Sequence, residues 1–279
     1  MALSIKTNVE SLGAQRNLSN TQKTLAANFG RLSSGLRINT AADDAAGLAI
    51  SERLKSQIRS LSQAERNAND GISLLQTAEG ALNENSGLLI RMRELAMQAS
   101  TDTVGTAEKA LLQTEFDELV NEIGRIADVT QFNGVNLLDG TTSAFNFQVG
   151  IGATPADTIS ANMVSISTSA YGGAGDLSAL DIATSSSSAA SALATLDTAI
   201  NVTSESRASL GSVQNRLQVT VSNLQGAREN LTAANSRIRD VDVAEESSAL
   251  TRNNILLQAG VAVLSQANLA PQAALSLLR

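Results

Sequence analysis

The residues of this chain that could do chemistry are its 27 Asp and Glu and its 20 Lys and Arg, because the chain has no histidine and no cysteine. Without those two residue types it cannot build a Ser-His-Asp site, a cysteine nucleophile, a disulfide or the usual zinc site. The remaining carboxylates and lysines follow no spacing typical of a general acid and base. The sequence therefore predicts no catalytic residue, no metal, no cofactor and a protein that is not an enzyme.

The charge and the apolar runs restrict the partners. A formal net charge of -7 and a pI near 4.7 argue against nucleic-acid binding, which needs a basic surface. No phosphate-loop pattern surrounds the glycines of residues 171–175. Residues 253–274 carry no charge, but their apolar runs are far shorter than the roughly 20 residues of a membrane span. We expect no nucleic acid, no membrane insertion and, from the opening residues, no cleavable signal peptide.

A seven-residue repeat of apolar residues predicts one long helix in the first half of the chain. The repeat runs through Leu54, Leu61, Ala68, Leu75, Leu82, Leu89 and Ala96. Such a spacing is typical of a coiled-coil seam. A helix over residues 44–100 would be roughly 80 Å long, so short neighbours in its own chain could not cover it. Aromatic residues make up only 2% of the chain, which also favours long seams over one thick core.

The second half repeats the same spacing, and both termini carry shorter seams. The inner partner seam includes Leu217, Leu224 and Leu231, and it is equally typical of an ordinary bundle core. The outermost seams are Leu18, Leu25 and Leu32 near the start and Leu250, Leu257 and Leu264 near the end. If the chain runs out and returns, its two ends lie side by side and antiparallel. Two isolated helices are marginal alone, so this terminal pair needs neighbouring subunits.

The middle of the chain has a different pattern. Residues 106–128 have apolar residues at three-to-four spacing and predict a third helix. Alternation at Phe145, Phe147 and Val149, and again at Val164, Ile166 and Thr168, predicts a small β-hairpin region over residues 137–170. The Gly-rich residues 171–175 and Ser-rich residues 184–190 are typical of exposed loops. The predicted fold is mainly α, a long antiparallel helical bundle or coiled coil with a small β-hairpin region in the middle.

Several strings are more specific than the spacing of apolar residues. They are RLSSGLRIN at 31–39, DDAAG at 43–47, RNANDGI at 66–72, QFNG at 131–134, RIRDVD at 237–242, QAG at 258–260 and LSLLR at 275–279. Together they resemble bacterial flagellin over roughly residues 1–140 and 200–279. The intervening residues match loosely and are few, which implies a short form that lacks the large outer domains.

The resemblance implies an arrangement in two layers. Residues 1–43 and 243–279 would be inner filament-core helices that are disordered in the monomer, with the six terminal leucines as packing residues. Residues 44–242 would be the outer helical bundle, in which Leu54, Leu61, Leu75, Leu82, Leu89, Leu217, Leu224 and Leu231 form the seam.

The implied function is structural: the chain would be exported and would polymerise into the flagellar filament for motility. Its implied location is extracellular, in the bacterial flagellum. The implied partners are further copies of the chain, the flagellar export apparatus, an export chaperone that binds the C-terminal segment, the hook-associated and cap proteins, and Toll-like receptor 5.

One surface resembles the part of flagellin that Toll-like receptor 5 binds. The matching residues are Arg91, Leu95 and Glu115, which the resemblance implies are the main contacts. The alternative is that Arg91 and Glu115 are solvated charges on adjacent helices, a kind of pair that contributes little. The neighbouring loop at residues 101–106 departs from the pattern.

Three alternative functions are less consistent with the sequence than flagellin. A hook–filament junction protein shares flagellin-like ends, but the close match of the first 140 residues favours flagellin. A flagellin that displays a metalloprotease would need a His-Glu-x-x-His helix, which a chain without histidine cannot have. A generic coiled-coil adhesin would lack the terminal strings.

Overall fold

The computed structural model describes residues 7–169 and 171–276. Within these ranges the helices are α1 (Val9–Ser34), α2 (Ala45–Ala99), α3 (Thr106–Val129), α4 (Ser186–Arg239) and α5 (Val243–Ser276). The strands are β1 (Gln131–Phe132), β2 (Val135–Asn136), β3 (Ala144–Gln148) and β4 (Thr158–Asn162), with a 3-10 turn at Pro155–Asp157. The predicted mainly α class with a small hairpin region is confirmed, and so is the third helix.

The described chain divides into two compact units. The smaller unit combines residues 7–58 and 229–276, and the larger unit comprises residues 59–228, so α2 and α4 each contribute to both. The predicted inner and outer layers, with limits at residues 43 and 243, concern an assembly and stay a prediction. Residues 1–6 and 277–279 of the predicted inner layer lie outside the described residues.

The core of the larger unit follows the seven-residue repeat. Leu61, Leu75, Leu82 and Leu89 of α2 are buried, and so are Leu217 and Leu224 of α4. Each buried leucine contributes about 1.5–3 kcal/mol relative to an exposed one. The other two leucines of the predicted bundle seam, Leu54 and Leu231, belong to the smaller unit and are half-buried.

A hairpin of β3 and β4 packs against α2. The two strands are antiparallel, with Phe145 opposite Ala161 and Phe147 opposite Ile159. A Cβ atom at Gly71 of α2 would lie 2.9 Å from Cδ1 of Phe147, which is closer than real side chains approach. A glycine at that position lets the hairpin approach the helix.

The second strand of the hairpin was predicted at the wrong place. The sequence placed it at Val164–Thr168, but β4 lies at Thr158–Asn162 and the later segment forms no strand. Ile166 is fully buried, and its N–H donates to the carbonyl of Leu138 at 2.9 Å. Burial on one side of an irregular segment therefore produced the alternation that resembled a strand.

The Ser-rich residues 184–190 were also predicted wrongly, as an exposed loop. Helix α4 begins at Ser186, and Ala189 is fully buried. The hydroxyl oxygen of Ser185 accepts a hydrogen bond from the N–H of Ser188 at 3.0 Å, as a helix N-cap does. Serine here starts a helix, whereas low apolar content suggested a loop.

Residues 171–175 form a loop as predicted, but Tyr171 is fully buried and was wrongly expected to be exposed. Its hydroxyl accepts a hydrogen bond from Nδ2 of Asn85 on α2 and lies 2.8 Å from Oγ1 of Thr203 on α4. The Thr203 hydroxyl donates to the carbonyl of Ala199, so it accepts the proton of Tyr171. Burial raises the pKa of Tyr171, since the phenolate would lose its hydration.

We predict that Tyr171 stays protonated in the folded chain above pH 10, the ordinary pKa of tyrosine. The unfolded chain releases this proton near pH 10 and the folded chain retains it, so stability is intact below pH 10 and falls as the pH rises further. Absorbance at 295 nm reports this residue alone, because the chain has one tyrosine and no tryptophan. Tyr171→Phe provides the blank, and a folded chain that titrates like free tyrosine would contradict the burial.

Candidate self-association interface

Helices α1 and α5 pack against each other in an antiparallel pair. Leu18, Leu25 and Leu32 of α1 and Leu250, Leu257 and Leu264 of α5 are all half-buried along it. A Cβ atom at Gly260 would lie 3.1 Å from Cδ1 of Leu18, so this leucine occupies the space that the glycine leaves. The two ends of the sequence thus meet, as their seams predicted.

Hydrogen bonds fasten one end of the pair. Asn8 caps α1 by accepting the N–H of Ser11 at 3.0 Å, and its Nδ2 donates to the carbonyl of Ala267 at 2.8 Å. The hydroxyl of Ser11 donates to Oδ1 of Asn268 at 2.8 Å. One asparagine therefore both begins α1 and binds α5.

A polar cluster interrupts the seam further along. Asn28 is only 4% exposed, and the amide orientation that satisfies its neighbours lets its Nδ2 donate to Oε1 of Glu246 at 3.2 Å. Its Oδ1 then accepts from Nδ2 of Asn253 at 3.1 Å. Arg31 lies 3.9 Å from the same carboxylate. Sequence reasoning missed this cluster, although a polar residue three positions after Leu25 on the seam was a visible signal.

The outer faces of this helix pair remain apolar and exposed. Large apolar side chains that are between 50% and 69% exposed are Val9, Leu12, Phe29, Val243, Ile255, Leu256, Val261, Val263 and Leu269. They occupy both helices. Exposed apolar surface of this extent marks an interaction site.

A compact junction joins the helix pair to the rest of the smaller unit. Gly35 ends α1 in the left-handed conformation at a φ of 71°, and its carbonyl accepts the N–H of Val241 at 3.1 Å. The N–H of Arg37 donates to the carbonyl of Arg239 at 2.6 Å. Hydrogen bonds from Thr40 hold the pKa of Asp43 below its ordinary value. The strings at 31–39 and 237–242 therefore contact each other in space.

The three residues of the predicted receptor surface occupy two different environments. Nη2 of Arg91 lies 2.7 Å from Oε1 of Glu115, and Nη1 lies 3.0 Å from Oε2 of Glu94. The hydrogen bonds that Arg91 donates to Glu115, and then to Glu94, raise the pKa of its guanidinium. Leu95 is only 1% exposed and belongs to the core. The fold therefore presents the two charges on its surface but not the leucine.

Metal-binding clusters and membrane-spanning helices are both absent from the part of the chain that the structure describes. Among residues 7–169 and 171–276 no group of three or more acidic side chains could hold a metal ion. The helices described in these ranges also lack an apolar stretch with the length and hydropathy that a membrane span requires.

Comparison with known proteins gives consistent matches. The family model for the bacterial flagellin N-terminal helical region matches residues 5–143, and the one for the C-terminal helical region matches residues 193–278. The chain is 50% identical to flagellin of Halalkalibacterium halodurans over 275 residues and 45% identical to flagellin of Bacillus subtilis over 304, each over 99% of both chains. It is 31% identical to Bacillus cereus flagellin, whose crystal structure superposes with a TM-score of 0.48, covering 61% of this chain and 94% of that one.

We predict that Leu95→Ala lowers the unfolding free energy of the larger unit by about 2–4 kcal/mol, because it leaves a cavity in the core. Arg91→Ala one turn away should change it little, because its ion pairs are exposed. Urea unfolding of the two full-length variants beside the parent chain measures both. A Leu95 variant as stable as the parent would show that the side chain is not packed as described.

Proposed function

This chain belongs to the bacterial flagellin family and is a structural subunit of the flagellar filament, and we propose that the α1–α5 pair is the surface through which it polymerises. Motility and export are implied by the family. Only residues 144–192 lie between the two matched regions, so this is a short form with no large outer domain between them.

The exposed apolar side chains of the pair are the observation that supports this proposal. Side chains such as Ile255, Val261 and Val263 are more than half exposed on a helix whose other side already faces α1. Burying them against other copies is favourable by about 25 cal/mol for each Å² removed from water. Contacts of this kind that do not close into a ring generate a helical filament.

The proposal couples order to assembly. Two helices with so little buried surface are marginal as an isolated pair, so residues 1–43 and 243–279 would order fully only among neighbouring copies. Those residues would form the inner layer of the filament, and residues 44–242 the outer layer. Leu18, Leu25, Leu32, Leu250, Leu257 and Leu264 would be the packing residues of the inner layer.

The same apolar surface fits the proposed export chaperone, and the other proposed partners act during export and growth of the filament. Before assembly, an export chaperone on the C-terminal segment would cover the exposed side chains of α5 and prevent aggregation. The export apparatus would deliver the chain to the outside of the cell, where cap and hook-associated proteins would contact the growing polymer. The proposed role is structural and assigns no catalytic residue.

We predict that the paired change Ile255→Gln and Val263→Gln raises the critical concentration for polymerisation at least about tenfold, because two exposed apolar contacts are lost. Sedimentation and electron microscopy of seeded full-length protein measure this effect. The matched control, Thr251→Gln and Ser265→Gln, places the same residue at exposed polar positions of α5 and should polymerise like the parent. Normal polymerisation of the first variant would contradict the proposal.

A second proposed function is recognition of the monomer by Toll-like receptor 5. The exposed Arg91–Glu115 pair supports it, because both charged groups are available to a partner. Leu95 would act indirectly, by holding α2 and the pair in place from the core. This assignment changes Leu95 from a contact into a supporting residue.

We predict that Arg91→Ala reduces receptor signalling by soluble monomers about tenfold, the loss expected for one charged contact at an interface centre. The matched control is Arg125→Ala, which removes another exposed arginine in an ion pair, that with Glu122. A receptor reporter assay over a concentration series compares both with the parent. Equal potency of all three proteins would end the receptor proposal without affecting polymerisation.

A further inference from the structure

The turn between β1 and β2 contains the only Asn-Gly pair in the sequence, Asn133 and Gly134. Phe132 pairs with Val135 across the turn, so these two residues alone close it. Asn133 has a φ of 51° and Gly134 a φ of 79°, which are the signs of a type I′ turn. Among the residues that the structure describes, Asn133 is the one non-glycine residue with a positive φ.

An asparagine followed by glycine can react with its own backbone. The backbone nitrogen of Gly134 would attack Cγ of Asn133, which forms an N–Cγ bond and closes a five-membered imide ring. The bond from Cγ to the side-chain nitrogen breaks, and that nitrogen leaves as ammonia with the backbone proton. Water then opens the ring at either of its carbonyls and leaves aspartate or isoaspartate. No oxidant and no cofactor takes part in these steps.

Both reacting groups are exposed at the turn. Within the described part of the chain, neither the side-chain amide of Asn133 nor the N–H of Gly134 forms a hydrogen bond. A Cβ atom at Gly134 would have no neighbour within 4 Å. The attack is therefore not opposed by a bonded partner or by crowding around the nitrogen.

The turn can also adopt the conformation that the ring requires. A planar imide ring sets the ψ of Asn133 to about −120°, which is the value at the first central residue of a type II′ turn. Types I′ and II′ share the positive φ that Asn133 already has, and both close two-residue hairpins. The change from one to the other rotates the peptide bond inside the turn and reverses the φ of Gly134, which glycine tolerates.

Two Asp-Gly pairs could form the same ring, and the fold restrains both. Asp70 and Gly71 lie inside α2, where ψ is held at about −42° and the N–H of Gly71 belongs to the helix hydrogen bonds. Oδ1 of Asp139, which precedes Gly140, accepts the N–H of Thr141 at 2.9 Å and its hydroxyl at 2.7 Å. These bonds lower the pKa of Asp139 and keep its carboxylate ionised, a form that resists attack by the nitrogen.

We propose that Asn133 is a site of spontaneous chemical modification in the folded chain, where the β1–β2 turn converts asparagine into aspartate and isoaspartate. Each event adds one negative charge, and isoaspartate also lengthens the backbone of the turn by one atom. A lengthened turn no longer matches the two-residue connection, so it weakens the pairing of Phe132, which packs against the core. The site lies outside α1 and α5, so this inference goes beyond the proposed polymerisation and does not depend on it.

The variant Asp70→Asn supplies a matched control, because it places the same Asn-Gly pair at an exposed position inside α2. Soluble full-length protein is incubated at mildly alkaline pH, either folded or in concentrated urea. Peptide mapping by mass spectrometry follows the loss of each side-chain amide, and an isoaspartyl methyltransferase labels the isoaspartate product. Asn133→Gly removes the reacting side chain, keeps a two-residue turn and provides the blank.

We predict that, in the folded Asp70→Asn chain, position 133 loses its amide at least about tenfold faster than position 70, because α2 must open locally before its pair can react. In urea the two positions should react at rates within about twofold of each other, since no helix remains. Asn133→Gly should remove most of the isoaspartate label from the folded chain. Equal rates at the two positions of the folded chain, or an amide at position 133 that is lost only in urea, would overturn the inference.

Discussion

The structure of this chain is governed by a helix pair that cannot bury its own apolar surface. Helices α1 and α5 meet along one seam, and each keeps large apolar side chains exposed on its other sides. The larger unit, by contrast, buries a continuous core that reaches from α2 to α4 and includes Phe116 and Tyr171. One part of the chain thus buries its apolar core, whereas the helix pair leaves large apolar side chains exposed.

The long helices and the meeting of the termini were predictable because one-dimensional spacing determines them. Residues seven apart on a helix share a side, so the burial of Leu61 through Leu89 follows from the pattern. The third helix was predictable for the same reason. Each of these elements repeats a signal many times along the chain, and repetition is what sequence reasoning detects well.

The features that were missed depend on single contacts between distant residues. Tyr171 is separated from its partners Asn85 and Thr203 in sequence, and nothing in a glycine-rich loop indicates a buried phenol. The second hairpin strand was misplaced because Ile166 is buried without being in a strand. Likewise, the sequence shows that Asn28 lies on a leucine seam, but it does not show that Asn253 is its hydrogen-bond partner.

Tyr171 also gives the protein a built-in optical reference. The chain has no tryptophan, so its ultraviolet emission comes almost wholly from one phenol, which is fixed inside the larger unit. If the polymer grows through contacts of the terminal helices alone, the surroundings of that phenol stay unchanged. The intensity of its emission would then report the total amount of subunit, free and polymerised, without a dye. A change in its emission spectrum would report a structural change in the core of the larger unit.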